Sequence, residues 1–362
     1  MERENQRAAI ADPENTHYFT MALSERARIE GESVYLEALQ DIDKWKASSA
    51  LIQEIAARVV LSRLGAGFEY AYPKTAGMRD WECDNYPLDM PEPVPQSFKH
   101  RLASYRHKAT GIEFVLLPGM KHGKTFSWTV DKENLIIVNG PMDSTFNIYY
   151  HGHLQIQTIL NGNTKTRIIL DQHHEGIVVE KLSEPESIKP FLIARWPSSG
   201  LVFKKKNGLP LTGLSFGQVT KQLENCSMRL PSTKEWTFAA KAGTTTRFYW
   251  GDEMDDSHVW HSGNSRFLGA GAANIRMPHT HAPKEHDDAG KWNAFGLVDM
   301  IGNVSEWVTM PSGFPTYMGG DYTDSPNNFE PTSYIQESPQ DADYYDHSAM
   351  GFRPCLSIPG EM

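Results

Sequence analysis

Two stretches decide how this chain folds: Arg229-Leu230-Pro231-Ser232-Thr233-Lys234-Glu235-Trp236-Thr237-Phe238-Ala239-Ala240-Lys241-Ala242-Gly243, and Trp292-Asn293-Ala294-Phe295-Gly296-Leu297-Val298-Asp299-Met300-Ile301-Gly302-Asn303-Val304-Ser305-Glu306-Trp307. The first reads as a capped helix. Pro231 sits where a missing N–H costs nothing, and Ser232 or Thr233 can cap the exposed amides. Glu235 falls in the first turn, where negative charge is favoured. Trp236, Ala239 and Ala240 make one apolar stripe, and Gly243 ends the element. The second stretch is loop-like, with aromatic anchors, glycines at turns and polar residues that point inward.

Other blocks follow in a fixed order. Thr110 to Gly119 reads as a buried strand ending in a turn, and Phe191-Leu192-Ile193 as the next. Leu209 to Ser215 leads into a helix through Leu223 that Ser215 can cap. Phe248-Tyr249-Trp250-Gly251-Asp252 is a turn, Met318-Gly319-Gly320-Asp321-Tyr322 closes a strand, and Gly351-Phe352-Arg353 ends the series. Together these motifs resemble the formylglycine-generating enzyme, or sulfatase-modifying factor, family. That resemblance implies an α+β fold, a variant of the C-type lectin fold.

It also implies where chemistry would sit. Catalytic members hold copper with two cysteines in the tract before the final Gly-Phe-Arg, and thiolates suit that metal. Here Asp321 to Met350 contains no cysteine; Cys355 and Cys226 lie outside it. A second branch holds iron with histidines of an N-terminal helical bundle, yet His17 and His100 are the only histidines before residue 101. No copper or iron is expected, and the reading favours a non-enzyme. By the same resemblance, calcium of structural role is expected at Asn274 with the carbonyl of Ile275, Asp288 and the carbonyl of Gly290. A second calcium set is Asn303 and Glu306 with the carbonyls of Gly302 and Val304. The alternative is that Asn303 and Glu306 satisfy buried amides and orient Trp307.

Composition sets the class. The chain has 362 residues, 40% hydrophobic and 22% charged, as in ordinary globular proteins. A net charge of −10 argues against nucleic acid, and Lys204-Lys205-Lys206 reads as a solvated turn. Met1 to Ala11 shows no secretory h-region, and no apolar run approaches the ~20 residues of a membrane span. Three cysteines, odd in number and far apart, fit a reducing compartment, so a cytoplasmic location is expected. Asn303-Val304-Ser305 matches a glycosylation sequon by accident of the structural block.

The chain divides into a helical region over 1–65, a proline-rich wrapping linker over 66–108, and the lectin-like core over 109–358 with a β insertion at about 120–188. Between Ser24 and Leu64 a helix is expected, broken near Gly31 and restarted at Ser33. Its stripe is Tyr35, Leu39, Ile42, Trp45, Ser49, Ile52, Ile55 and Val59, and Gly65 stops it. The stripe either docks on the core or makes a homo-oligomer. In the insertion, His153–Leu160 and Thr166–Leu170 alternate around Asn161-Gly162-Asn163 and predict a hairpin, with Leu135–Val138 as a further strand. His151, His153, His173 and His174 could bind a metal, as could His279, His281, Glu285, His286, Asp287 and Asp288; exposed loop histidines are the plainer reading.

The tract from Asp321 to Ser348 is the most distinctive surface. Tyr322, Asp324, Asn327, Asn328, Tyr334, Tyr344, Tyr345 and His347 give it the composition of an antibody-like binding loop. It is similar to the hypervariable segment of retroelement-diversified phage and bacterial binding proteins, which also end in Gly-Phe-Arg-Pro. The function expected is recognition of a protein or other ligand, or a subunit role in a bacterial or phage assembly. A metal-dependent oxidoreductase using a histidine site is the competing expectation.

Overall fold

The computed structural model describes residues 31–71, 102–120, 187–200, 208–244, 246–268, 276–278, 280–310, 315–326, 335–336 and 348–360, and the backbone of six strands between 127 and 181. Helices and sheets mix in an α+β core. One five-stranded sheet runs in the order β1 (Phe68–Tyr70), β2 (Ser104–His107), β3 (Glu113–Leu117), β10 (Phe191–Ala194), β17 (Cys355–Ser357). A four-stranded sheet runs β15 (Ile335–Gln336), β14 (Pro315–Met318), β13 (Ser305–Thr309), β16 (Met350–Phe352), with β13 and β16 parallel. Short strands β11 (Arg266–Leu268) and β12 (Arg276–Pro278) pair with each other.

The helices start where local chemistry places them. α4 (Phe216–Glu224) opens with a capping box between Ser215 and Gln218. α5 (Thr233–Lys241) opens with another between Ser232 and Glu235 and stops at Ala242, in the left-handed region. Of the two candidate caps, Ser232 does the work. Trp236, Ala239 and Ala240 are buried as the stripe predicts.

The N-terminal helix is three helices, α1 (Glu32–Leu39), α2 (Ile42–Ala47) and α3 (Ala50–Leu64). Asp41 takes the amides of Asp43 and Lys44, and Ser49 takes the amide of Ile52, so each begins a new helix. Ser49, expected in the apolar stripe, is a cap instead: a short hydroxyl side chain competes for backbone donors. Gly65 stops α3 as expected. The stripe does not face outward. Leu39, Trp45, Ile55 and Val60 share one core with Tyr105, Phe114, Trp307 and Phe352. The face that suggested a homo-oligomer is covered by the chain's own core.

Two departures lie beside it. Both described ends of the proline-rich segment are strands, β1 and β2, paired through Tyr70 and Tyr105; the prolines between them obscured the alternation. The hairpin expected around Asn161-Gly162 does not form. β7 (His153–Ile159) pairs with β6 (Thr145–Tyr150), which also pairs with β9 (Ile177–Lys181). β8 (Lys165–Ile169) pairs instead with β5 (Leu135–Asn139), itself paired with β4 (Ser127–Val130). Alternation marks a strand but names no partner, and the connection at 151–152 is shorter than the one at 160–164. The insertion leaves and rejoins the core at one point, where Met120 and Ile188 exchange two backbone hydrogen bonds of 2.8 and 3.0 Å. Among the described residues no helix is long and apolar enough to cross a membrane.

Candidate ligand face

β14 delivers the chain to Asp321, and β16 collects it after Ser348 from the far side of the same sheet. The tract between them therefore begins and ends on fixed backbone. Its first residues are held tightly. The Tyr322 amide donates to the Asn303 carbonyl (3.1 Å), and the Ser262 amide donates to the Asp324 carbonyl (3.0 Å). The Ser265 hydroxyl donates to the Tyr322 carbonyl (3.0 Å). The Asp321 carboxylate accepts from the Thr323 amide (2.8 Å) and hydroxyl (2.6 Å), and from the Ser305 hydroxyl (3.1 Å). Asp324 returns a carboxylate oxygen to the Asp321 amide, and burial pushes its carboxyl above the usual range. Further along, Ile335 and Gln336 pair with Tyr317 and Thr316, so the tract also touches the sheet edge.

Of the predicted ligand residues, Tyr322 and Asp324 are half-buried members of this base. Asn327, Asn328, Tyr334, Tyr344, Tyr345 and His347 lie outside the described residues. A loop carried on a rigid sheet, with its stem locked, is the ordinary arrangement for recognition.

Beneath the face lies a floor that sequence reasoning assigned to calcium. Asn303 is fully buried at φ 64°, in the left-handed region that Asn tolerates. Its amide oxygen accepts from the His281 amide (2.9 Å), and its NH2 donates to the His281 carbonyl (2.9 Å) and to Asp299 (2.8 Å). Asp299, also at positive φ, has its carboxylate 2.5 Å from Nδ1 of the buried His286 imidazole and accepts a hydrogen bond when that nitrogen carries the proton. The His281 ring stacks on Trp260 at 3.6 Å.

Glu306 is fully buried. Each of its oxygens already has two donors: Arg353 Nε and Nη2 on Oε1, Arg353 Nε and Trp236 Nε1 on Oε2, all between 2.7 and 3.1 Å. The Gly302 carbonyl accepts from Val304. A divalent ion here would have to displace a guanidinium from a saturated carboxylate, so the set Gly302, Asn303, Val304 and Glu306 does not fit calcium as arranged. Of the other set, Asn274 and Ile275 lie outside the described residues, and Gly290 follows helix α6 (Lys284–Asp288), of which Asp288 is the last residue.

Gly302 is tied to this floor by space as well as by its φ of 74°. A Cβ there would lie 2.6 Å from the Trp260 carbonyl and collide with a Val259 methyl. Gly302→Ala is expected to cost about 2–4 kcal/mol, from left-handed strain and overpacking together. Urea unfolding checks it; a loss under ~1 kcal/mol would show that the Trp260 turn yields.

The remaining chemistry-bearing groups are engaged or outside. His281 and His286 belong to the floor, and Asp287 pairs with the buried Arg195 at 2.6 Å. His153 opens β7, while His151, His173, His174 and His279 lie outside the described residues. Among the described residues no group of three or more His, Cys, Asp or Glu side chains is arranged to hold a metal. Cys355 is fully buried in β17, and desolvation pushes its thiol well up, away from the thiolate that metal or redox chemistry needs. Sequence reasoning missed Asp299 and the Glu306–Arg353 pair. The available signal was a charged residue inside an apolar motif, which demands a buried partner.

Residues 165–358, more than half of the chain, match the sulfatase-modifying factor enzyme 1-like domain. This chain belongs to the sulfatase-modifying factor family. Two formylglycine-generating enzymes are each 31% identical to it. The one from Mycobacterium tuberculosis matches over 113 residues, 28% of this chain and 33% of the relative. The one from Streptomyces coelicolor matches over 120 residues, 32% of this chain and 35% of the relative. The matched segment thus spans about a third of each enzyme. Treponema denticola variable protein 1 covers 69% of this chain and 97% of its own at 15% identity and a TM-score of 0.39. PvdO from Pseudomonas aeruginosa covers 70% and 97% at 17% identity and a TM-score of 0.38. In this sulfatase-modifying factor domain the Gly-Phe-Arg terminus serves the buried ion pair, and the tract before it carries no cysteine.

Proposed function

We propose that this sulfatase-modifying factor domain is a non-catalytic recognition module that binds a protein ligand through the 321–348 face. The observation that carries the reading is a 28-residue tract, without cysteine and rich in Tyr, Asn, Ser and Asp, whose stem is locked by the Asn303, Ser262 and Ser305 contacts. Aromatic side chains with few rotors supply contact area at low entropic cost, and a fixed stem keeps that cost low on binding.

The experiment replaces Tyr334, Tyr344 and Tyr345 together with Ala. Capture of partner from the native host is expected to fall at least tenfold, with the melting temperature within a few degrees of wild type. Unchanged capture sinks the reading. Metal analysis addresses the oxidoreductase alternative: stoichiometric copper or iron in the purified protein, with turnover, would replace the proposal.

A further inference from the structure

The turn that grips the stem of the 321–348 tract is itself held by one imidazole. Ser262 and Ser265, which donate to the Asp324 and Tyr322 carbonyls, stand on either side of Gly263 and Asn264. Asn264 ties the turn to its own beginning. Its side chain accepts from the His261 amide (2.8 Å) and donates to the Asp256 and Val259 carbonyls (3.0 and 2.8 Å). His261 is buried, with both ring nitrogens engaged. Nδ1 lies 3.0 Å from the Gly263 amide, which can only donate, so Nδ1 accepts. The one proton of the neutral ring is therefore on Nε2, 2.9 Å from the Asp256 carboxylate. Only glycine brings its amide to this place, since a Cβ at position 263 would lie 2.8 Å from Cε1 of the ring.

A second proton on this ring has one place to go, Nδ1. There it would face the Gly263 N–H, donor against donor across 3.0 Å, and the turn cannot keep both. The titratable groups about the turn are Asp255, Asp256 and His258 on its own stretch, Lys291 bonded to Ser257, and Asp321 and Asp324 on the stem. Carboxylates outnumber the one lysine, so what opposes an imidazolium here is the Gly263 donor together with burial of the ring. We propose that residues 256–265 are an acid-released clamp on the stem of the 321–348 tract, with neutral His261 as its latch. The open turn takes up the proton more readily than the closed one, so the clamp is complete at neutral pH and is lost as pH falls. For its effect on ligand capture this inference rests on the recognition reading above.

Histidine as a residue type changes charge between about pH 5 and 8, so the test compares the full chain at about pH 7.5 and about pH 5.5. Hydrogen-exchange NMR reads the protection factors of the Ser262 and Gly263 amides, which are expected to fall at least ~10-fold at the lower pH. The Leu116 amide, bonded within the five-stranded sheet, should not follow them. In His261→Asn the side-chain oxygen can take the Gly263 amide and does not titrate, so protection should be the same at both pH values. Partner capture should follow the amides, weakening at the lower pH in the wild type and not in His261→Asn. Flat protection in the wild type, or an equal loss in His261→Asn, overturns the clamp. Should that variant fail to fold, the nitrogen shifts of His261 in the wild type decide. A neutral ring protonated on Nδ1 overturns the latch, whereas a proton on Nε2, joined by a second as the amides open, supports it. Loss of protection with capture unchanged leaves the clamp standing and counts against the 321–348 face as the binding surface.

Discussion

Arg353→Met is expected to lower stability by about 3–5 kcal/mol, which is a large share of the ~5–15 kcal/mol that holds a domain folded. Arg353 is fully buried and joins three parts of the molecule. It donates to the Ala194 carbonyl at the end of β10 (2.9 Å), to the Val298 and Asp299 carbonyls (2.8 and 3.1 Å), and to Glu306 on β13. Removing it strands a carboxylate at zero exposure and three carbonyls at once. Lysine cannot stand in, because a single ammonium lacks the planar fork that reaches all of them. Glu306→Gln alone leaves an unpaired guanidinium and should cost about as much. The double change Arg353→Met/Glu306→Gln should cost less than the two single losses added, since no buried charge remains. Urea unfolding of the four proteins measures the coupling. A single loss below ~1 kcal/mol, or strict additivity, would show that the pair is not what ties β10 to β13.

The second large effect is removal of the N-terminal helices. A chain beginning at residue 66 is expected to lose cooperative folding. Tyr35, Leu36, Leu39, Trp45, Ile55 and Val60 are all buried, against side chains of the core itself. At about 1.5–3 kcal/mol each, their burial sums to about 9–18 kcal/mol as an upper figure, comparable with the whole stability of a domain. The union is polar too: the Tyr105 hydroxyl donates to the Ala57 carbonyl (2.7 Å) and the Gly119 amide to the Leu39 carbonyl (2.8 Å). Gly119 leaves no room to slide, since a Cβ there would sit 2.7 Å from the Gln40 carbonyl. Circular dichroism, thermal melts and size-exclusion mass read the result. A truncated chain that melts cooperatively near wild type and changes only its mass in solution would make the helices an interface between copies. The milder Trp45→Ala should cost about 3–5 kcal/mol.

The base of the tract was legible, while most residues expected to bind lie outside the described residues. The stem of the ligand face follows from Gly319-Gly320-Asp321 closing a strand, and its composition is visible in the tract itself. The floor carried two readings in the sequence, a calcium set or buried groups that satisfy backbone amides. Asn303 and Glu306 are oxygen donors in a turn, which suits an ion. Their oxygens are instead engaged by His281 and by Arg353, and Arg353 stands 47 residues from Glu306.

What the residues settled unaided was local. The capping boxes at Ser215 and Ser232 close within three residues, so they are written in the sequence that contains them. The stop at Gly65 and the buried strands β3 and β10 follow from short-range patterning in the same way. Tertiary structure alone decided partners within the chain: which strand β7 and β8 join, what the helical stripe packs against, and which cation neutralises Glu306. Those choices compare free energies between distant segments, and alternation or periodicity along a chain reports only that a face seeks cover, never what provides it.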